Sequence, residues 1–165
     1  MIFDRDGTLI RHIPYLKNPN EVELMPGVVE TLNLFAKKDY KFGFYSNQSG
    51  IGRKLLLEDE VDAVNKTLLE LLNSPKFEIF FYCPHIPEEK CNCRKPNSSF
   101  ALEIFEAAGV DFDSSLYIGD NLSDMEFAKN CNLRGIHLTR QKCDIDSHLD
   151  FANYPEISNW AKTSL

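Results

Sequence analysis

The chain has 165 residues, 43% hydrophobic and 26% charged, which is enough length and apolar content for one domain with its own core. Its 18 Lys and Arg against 25 Asp and Glu leave a net charge of −7, which argues against nucleic-acid or anionic-membrane partners but leaves room for a local basic pocket. No run of apolar residues is long enough to predict a transmembrane helix, and Met1-Ile2-Phe3 runs straight into charge without a signal-peptide pattern, so a cytoplasmic protein is expected.

In chain order, Ile2-Phe3 can end a first strand, unusually brief for a central one. Residues 26–38 read as a helix, with Pro26 in its first turn and Val28, Val29, Leu32 and Phe35 on one side. Lys41–Ser46 reads as a strand. Glu58–Leu72 follows as a long helix striped by Val61, Val64, Leu68, Leu69 and Leu72. The aromatic run Phe77, Phe80, Phe81 and Tyr82 reads as a buried strand rather than a base-stacking platform. Ser98–Ala108 is a helix with hydroxyl caps and Gly109 as its stop. Leu116–Gly119 is a strand, Ser123–Asn130 a helix, and Gly135–Leu138 another strand. This alternation predicts an α/β fold: a Rossmann-like parallel sheet with helices on both faces and ligands at the carboxyl ends of the strands. One domain over residues 1–165 is expected, since no linker, repeat or low-complexity tract interrupts the chain.

Asp4-Arg5-Asp6-Gly7-Thr8 places two carboxylates two residues apart just after an apolar strand. Such a pair suits covalent phosphoryl transfer, in which one acid attacks phosphorus while the other protonates the leaving oxygen and later deprotonates water. Gly7 permits a tight turn whose N–H groups can cradle phosphate oxygens. Asp and Gly are also ordinary turn residues, so this segment alone does not decide the matter. Ser46-Asn47 then follows one strand, Lys95 lies within Arg94-Lys95-Pro96, and Gly119-Asp120-Asn121-Leu122-Ser123-Asp124 follows another strand.

These four motifs, in order and over nearly the whole chain, resemble the haloacid dehalogenase superfamily of phosphatases. The resemblance implies that Asp4 is the nucleophile and a magnesium ligand, and that Asp6 is the acid/base and offers its carbonyl to Mg2+. It implies that Asp120 completes the Mg2+ site, that Ser46 and Asn47 bind the phosphoryl group, that Lys95 offsets charge, and that Thr8 and Asp124 support the site. Several acids and a phosphate dianion repel one another unless a hard cation and a lysine sit among them.

Cys83-Pro84-His85 and Cys91-Asn92-Cys93 supply four ligands across a short hydrophilic loop, residues 83–93, and predict a closed, structural Zn2+ site. Cys93 adjoins Arg94 and Lys95, so the metal can clamp the loop that aims both cations. This loop resembles the branch holding the heptose 1,7-bisphosphate and histidinol-phosphate phosphatases, compact members in which the zinc loop stands in for a large cap. The resemblance gives Arg94 a substrate role.

Asn47-Gln48-Ser49-Gly50-Ile51-Gly52-Arg53 is more similar to the heptose enzymes, and Arg53 becomes a candidate contact for a second phosphate or the sugar. The short zinc loop is more like the histidinol-phosphate enzymes. The expected substrate is therefore D-glycero-D-manno-heptose 1,7-bisphosphate, with histidinol phosphate as the alternative and a nucleic-acid 3′-phosphate a more distant third. The expected partner is a small phosphomonoester, with the chain acting as a monomer. His12, His137 and His148 stand without partners at metal or triad spacing, Tyr15 is as much a loop-packing residue as a pocket one, and Cys131 and Cys143 read as core packing or free thiols.

Overall fold

A computed structural model describes residues 1–73, 75–139 and 148–165; Cys143 lies outside them. The strands are β1 (Ile2–Phe3), β2 (Phe42–Asn47), β3 (Phe77–Cys83), β4 (Leu116–Gly119), β5 (Arg134–Leu138) and β6 (His148–Phe151). The main helices are α1 (Val28–Ala36), α2 (Glu58–Leu72), α3 (Ser99–Ala107), α4 (Leu122–Asn130) and α5 (Tyr154–Ser164). Among the described residues, six strands form one parallel sheet in the order β3-β2-β1-β4-β5-β6, as the β-α alternation predicts. Among the described residues, no helix is long and apolar enough to cross a membrane.

Alternation along the central strands feeds two cores. Phe3, Phe44, Leu116, Ile118 and Ile136 face α1, α2 and α5, while Ile2, Tyr45 and Tyr117 face α3 and α4. Each fully buried Leu, Ile or Phe contributes roughly 1.5–3 kcal/mol of hydrophobic stabilisation. β1 is therefore short yet central, with both residues buried and paired to β2 and β4. The sheet order reverses beside it, which opens the crevice where α/β sheets bind ligands.

Several boundaries move by one or two residues. Pro26 lies outside α1, because Gly27 at φ +83° is the N-cap. Glu58–Leu72 is helical as expected, and its buried stripe also carries the polar Asn65. The aromatic strand is a correction: β3 is the sheet edge, and Phe80 is 57% exposed while Phe77 is buried. Phe77 joins one core and Ile79 and Phe81 pack against the other, but Phe80 opens onto the groove beside α2, so the apolar run did not report burial along its whole length. Cys131 is buried beneath α4, as its core reading requires. The chain's last strand and helix, β6 and α5, were not anticipated. Asn153 caps α5 by accepting from the Glu156 N–H, and the buried Tyr154 donates to the Thr8 carbonyl at 2.9 Å. The last helix thereby pins the turn that follows β1.

Candidate functional site

The motifs converge in a cleft of about 460 Å³ at the carboxyl ends of β1, β2 and β4, lined by Asp4, Asp6, Ser46, Lys95, Asp120 and Asp124 among others. A larger groove of about 1300 Å³ between α2 and β3 holds none of the motif carboxylates, which all gather in the smaller cleft. Asp4 follows β1 and Asp120 follows β4, which sets them on either side of the point where the sheet order reverses.

At the floor, the buried Lys95 Nζ donates to Asp4 Oδ1 at 2.5 Å, to Asp124 Oδ1 at 2.6 Å and to the Tyr117 hydroxyl at 2.9 Å. All three ammonium protons are thus used. Asp124 Oδ2 accepts from the Asn121 N–H at the start of α4, so this carboxylate serves the lysine and the helix end. Burial dominates at Asp4. It pushes the carboxyl up to about 7 despite the lysine, and the Asp124 and Asp6 charges push the same way. Burial likewise raises the Asp120 carboxyl, with Asp124 contributing.

Ligand atoms of Asp4, Asp120 and Asp124 lie within 4.8 Å of one another. Asp124 is committed through both oxygens, to Lys95 and to the Asn121 N–H, so the second oxygen of Asp4 and the Asp120 carboxylate remain for a hard cation that keeps several waters, which fits magnesium. Gly7, at φ +87°, makes the geometry possible, because a Cβ there would stand 2.2 Å from Asp120 Oδ2.

Asp6 is held from the other side. Arg5, 1% exposed, contacts both Asp6 oxygens at 2.8–3.1 Å and donates to Asn65 Oδ1 on α2 at 2.7 Å. Gln48 Nε2 bridges Asp6 Oδ2 at 2.7 Å and Ser46 Oγ at 2.8 Å. Since Ser46 accepts from Gln48, its own proton remains for a phosphoryl oxygen. Sequence reasoning passed over Arg5, Gln48 and Tyr117.

The three expected substrate contacts Asn47, Arg94 and Arg53 take different places around the cleft. The Asn47 carboxamide pairs with the Lys95 backbone, donating to its carbonyl at 3.1 Å and accepting from its N–H at 3.0 Å. That makes Asn47, which also lines the cleft, a clamp on the lysine segment. Arg94 donates to the His85 carbonyl at 3.2 Å, and neither it nor the exposed Arg53 lines the cleft. Thr8 is fully buried on the Asp4 turn, and its hydroxyl has no partner among the described residues.

Cys83, His85, Cys91 and Cys93 meet as their spacing predicts. Five of their contacts span 3.2–3.6 Å, with His85 presenting Nδ1. Thiolates at about 2.3 Å and an imidazole at about 2.0 Å from zinc place tetrahedral edges near 3.5–3.8 Å, so the set fits Zn2+ after slight expansion. Burial pushes the Cys83 and Cys93 thiols up, and a bound cation is what would make them thiolates. Tyr45 donates to the Cys93 carbonyl at 2.8 Å and Asn97 to that of Cys91 at 2.8 Å, tying the loop to β2 and to the lysine segment. Cys91→Ser is therefore expected to lose the metal and lower Tm by at least about 5 °C, since each kcal/mol moves a domain of this size by roughly 2–4 °C. Turnover should fall too, because the loop aims Lys95. Elemental analysis and thermal melts check this, and a wild-type protein purified reduced and active without zinc contradicts it.

Comparison with known proteins follows the same line. The family model described as "Polynucleotide kinase 3 phosphatase" matches residues 1–157. A Thermoplasma volcanium protein named "Probable D-glycero-D-manno-heptose-1,7-bisphosphate 7-phosphatase" is 37% identical over 81% of this chain and 93% of its own length. The Campylobacter jejuni protein named "D-glycero-alpha-D-manno-heptose-1,7-bisphosphate 7-phosphatase" is 30% identical over 98% of this chain and 95% of its own. The "Histidine biosynthesis bifunctional protein HisB" of Blochmanniella floridana is 32% identical over 82% of this chain, which spans 40% of that longer protein. The crystal structure of D,D-heptose 1,7-bisphosphate phosphatase from B. bronchiseptica, complexed with magnesium and phosphate, shares the fold at a TM-score of 0.88 and 21% identity, covering 100% of this chain and 98% of that one.

Proposed function

The chain belongs to the polynucleotide kinase 3 phosphatase family and, within the haloacid dehalogenase superfamily, to the heptose bisphosphate phosphatase branch; it is a phosphoric monoester hydrolase, and from that premise we propose that it works through an aspartyl-phosphate on Asp4, with Mg2+, on a small sugar phosphate. The observation that carries this reading is the convergence of Asp4, Lys95 and Asp120 on the floor of one cleft, with Asp6 and Ser46 at its wall. The magnesium and phosphate held by a structural neighbour support the same cofactor.

Asp4 supplies the attacking oxygen, and Lys95 holds that oxygen and balances its charge. Ser46 donates its hydroxyl proton to the phosphoryl group. Asp6 gives a proton to the leaving alkoxide and then takes one from the water that attacks phosphorus. Arg5 and Gln48 keep the Asp6 carboxylate at one place throughout. Magnesium, when bound at Asp4, Asp120 and the Asp6 carbonyl, supplies positive charge for the phosphoryl oxygens. The zinc loop is structural in this reading, and residues 1–165 act as one domain in the reducing cytoplasm.

The favoured substrate is D-glycero-D-manno-heptose 1,7-bisphosphate, cleaved at C7, which the similarity to the Thermoplasma and Campylobacter proteins supports. Histidinol phosphate is the second reading, favoured by the HisB likeness. A nucleic-acid 3′-end fits less well. The chain carries a net charge of −7, and the cleft cations Arg5 and Lys95 are both buried against carboxylates. Phosphate release from the heptose bisphosphate, histidinol phosphate and an oligonucleotide 3′-phosphate, with magnesium, tests this. The heptose is expected to give a kcat/KM at least about tenfold above the others, a difference of about 1.4 kcal/mol in transition-state binding. A higher value for histidinol phosphate reverses the assignment.

A further inference from the structure

β5 and β6 pair in parallel, with His137 opposite Asp150 and Gly135 opposite His148. Opposed residues of a parallel pair share a face, as do residues two apart on one strand, so His137, His148 and Asp150 gather on the α4 side of the sheet. Their sequence spacing gave no hint of this, which corrects the reading of both histidines as partnerless. Gly135 makes room: a Cβ there would lie 3.1 Å from the His148 Cβ and 3.1 Å from the Met125 sulfur. Asp150 Oδ1 stands 3.2 Å from His137 Nδ1 and 3.2 Å from His148 Nε2. One ligand atom from each residue falls within 4.8 Å of the others. The two imidazole side chains are 6% and 4% exposed and the carboxylate 26%, so a dry pair of rings sits behind an acid that solvent reaches.

Hydrogen-bond accounting then asks for a positive charge. His137 Nε2 lies 3.2 Å from the Asp120 carbonyl, while Nδ1 faces the Asp150 carboxylate. Both partners only accept, and a neutral imidazole carries a single N–H. If Nε2–H serves the carbonyl, the Nδ1 lone pair points at a carboxylate lone pair unless a proton or a metal cation lies between them. An imidazole that donates one nitrogen to a backbone carbonyl and turns the other toward a carboxylate and a second imidazole has the arrangement of a metal-ligating histidine. Donor atoms at about 2.0–2.2 Å from a tetrahedral ion lie roughly 3.3–3.6 Å apart, close to the two 3.2 Å spacings to Asp150.

We propose that His137, His148 and Asp150 form a second metal site, which takes a divalent transition cation of the zinc and nickel class and leaves a position open to water. The site is separate from the cysteine loop and from the catalytic carboxylates, and it does not depend on the phosphatase reading. A cation there ties the edge strand β6 to β5. Through the His137–Asp120 hydrogen bond, it also fixes the backbone of a residue in the catalytic cleft.

The test uses full-length protein with its cysteine loop loaded with zinc and excess magnesium present. Nickel is added and followed by calorimetry and visible absorption. Wild type is expected to take up about one equivalent more than Asp150→Asn and His148→Ala, for a single three-ligand site, with micromolar or tighter affinity and imidazole-to-metal spectral features. Asp150→Asn is nearly isosteric at a partly exposed position, and circular dichroism with retained loop zinc confirms its fold if His148→Ala fails to fold. Equal nickel uptake by wild type and Asp150→Asn overturns the proposal and leaves a proton as the charge between His137 and Asp150.

Discussion

Asp4→Asn is expected to lower turnover by on the order of 10⁴-fold or more, the scale seen when a covalent nucleophile is removed, while leaving the fold intact. An amide cannot attack phosphorus and is a poor ligand for magnesium. The stability effect should have the opposite sign. A carboxyl whose folded-state value is raised, here to about 7, binds its proton more tightly folded than unfolded. Its contribution to stability is full below about pH 4 and is lost as pH rises through about 7. The amide carries no charge to bury. At pH 8 without added magnesium, the variant should therefore melt at or above the wild-type temperature, and the gap should shrink toward pH 5. Turnover near the wild-type rate defeats the assignment of the nucleophile. A variant that melts well below wild type at pH 8 defeats the account of its burial.

Lys95→Met reverses that stability sign. Its ammonium is 4% exposed as a residue and is the shared partner of Asp4 and Asp124. Removing one member of a buried ionic network leaves uncompensated charge and typically costs about 3–5 kcal/mol. A Tm drop of roughly 10 °C follows for a chain of this length. Turnover should fall as steeply as in the nucleophile variant, because Asp4 loses the group that aims it. Added magnesium should recover part of the lost stability in Lys95→Met and less in wild type, since the cation can neutralise the same carboxylates. A variant that melts like wild type and still releases phosphate contradicts the central role given to this lysine.

The contrast between these two substitutions rests on a distinction that sequence alone does not carry. Motif spacing places Asp4, Ser46 and Asp120 at strand ends, parallel strand order brings them to one crevice, and Lys95 reaches it from the long loop between β3 and α3. Their types and sequence order already point to phosphoryl transfer. Lys95's three-way bonding and the Asn47 clamp depend on approach between distant segments, so no local pattern reveals them. Arg5 illustrates a signal that was present and passed over. Asn65 interrupts the apolar stripe of α2 at a core-facing position, and a buried amide needs a partner. The buried Arg5 beside Asp6 is that partner.

The C-terminal elements divide the same way. Asn153-Tyr154-Pro155-Glu156 is a legible helix start, with an N-cap, a proline in the first turn and a glutamate three residues after the cap. Tyr154, Ile157 and Ala161 continue it at helical spacing. β6 is different: His148-Leu149-Asp150-Phe151 is short and half polar, and it is a strand because β5 offers it a parallel edge. The histidine–aspartate cluster inherits that dependence, since its members share no spacing that a motif search would recognise.

The claim on which the catalytic account turns is that phosphate passes through a covalent intermediate before water receives it. Stereochemistry at phosphorus tests this directly, using a substrate whose phosphoryl group is made chiral with oxygen isotopes. Two successive in-line displacements, first by Asp4 and then by water, predict release of phosphate with retained configuration. Inversion would mean that water attacks the substrate itself and would contradict the account.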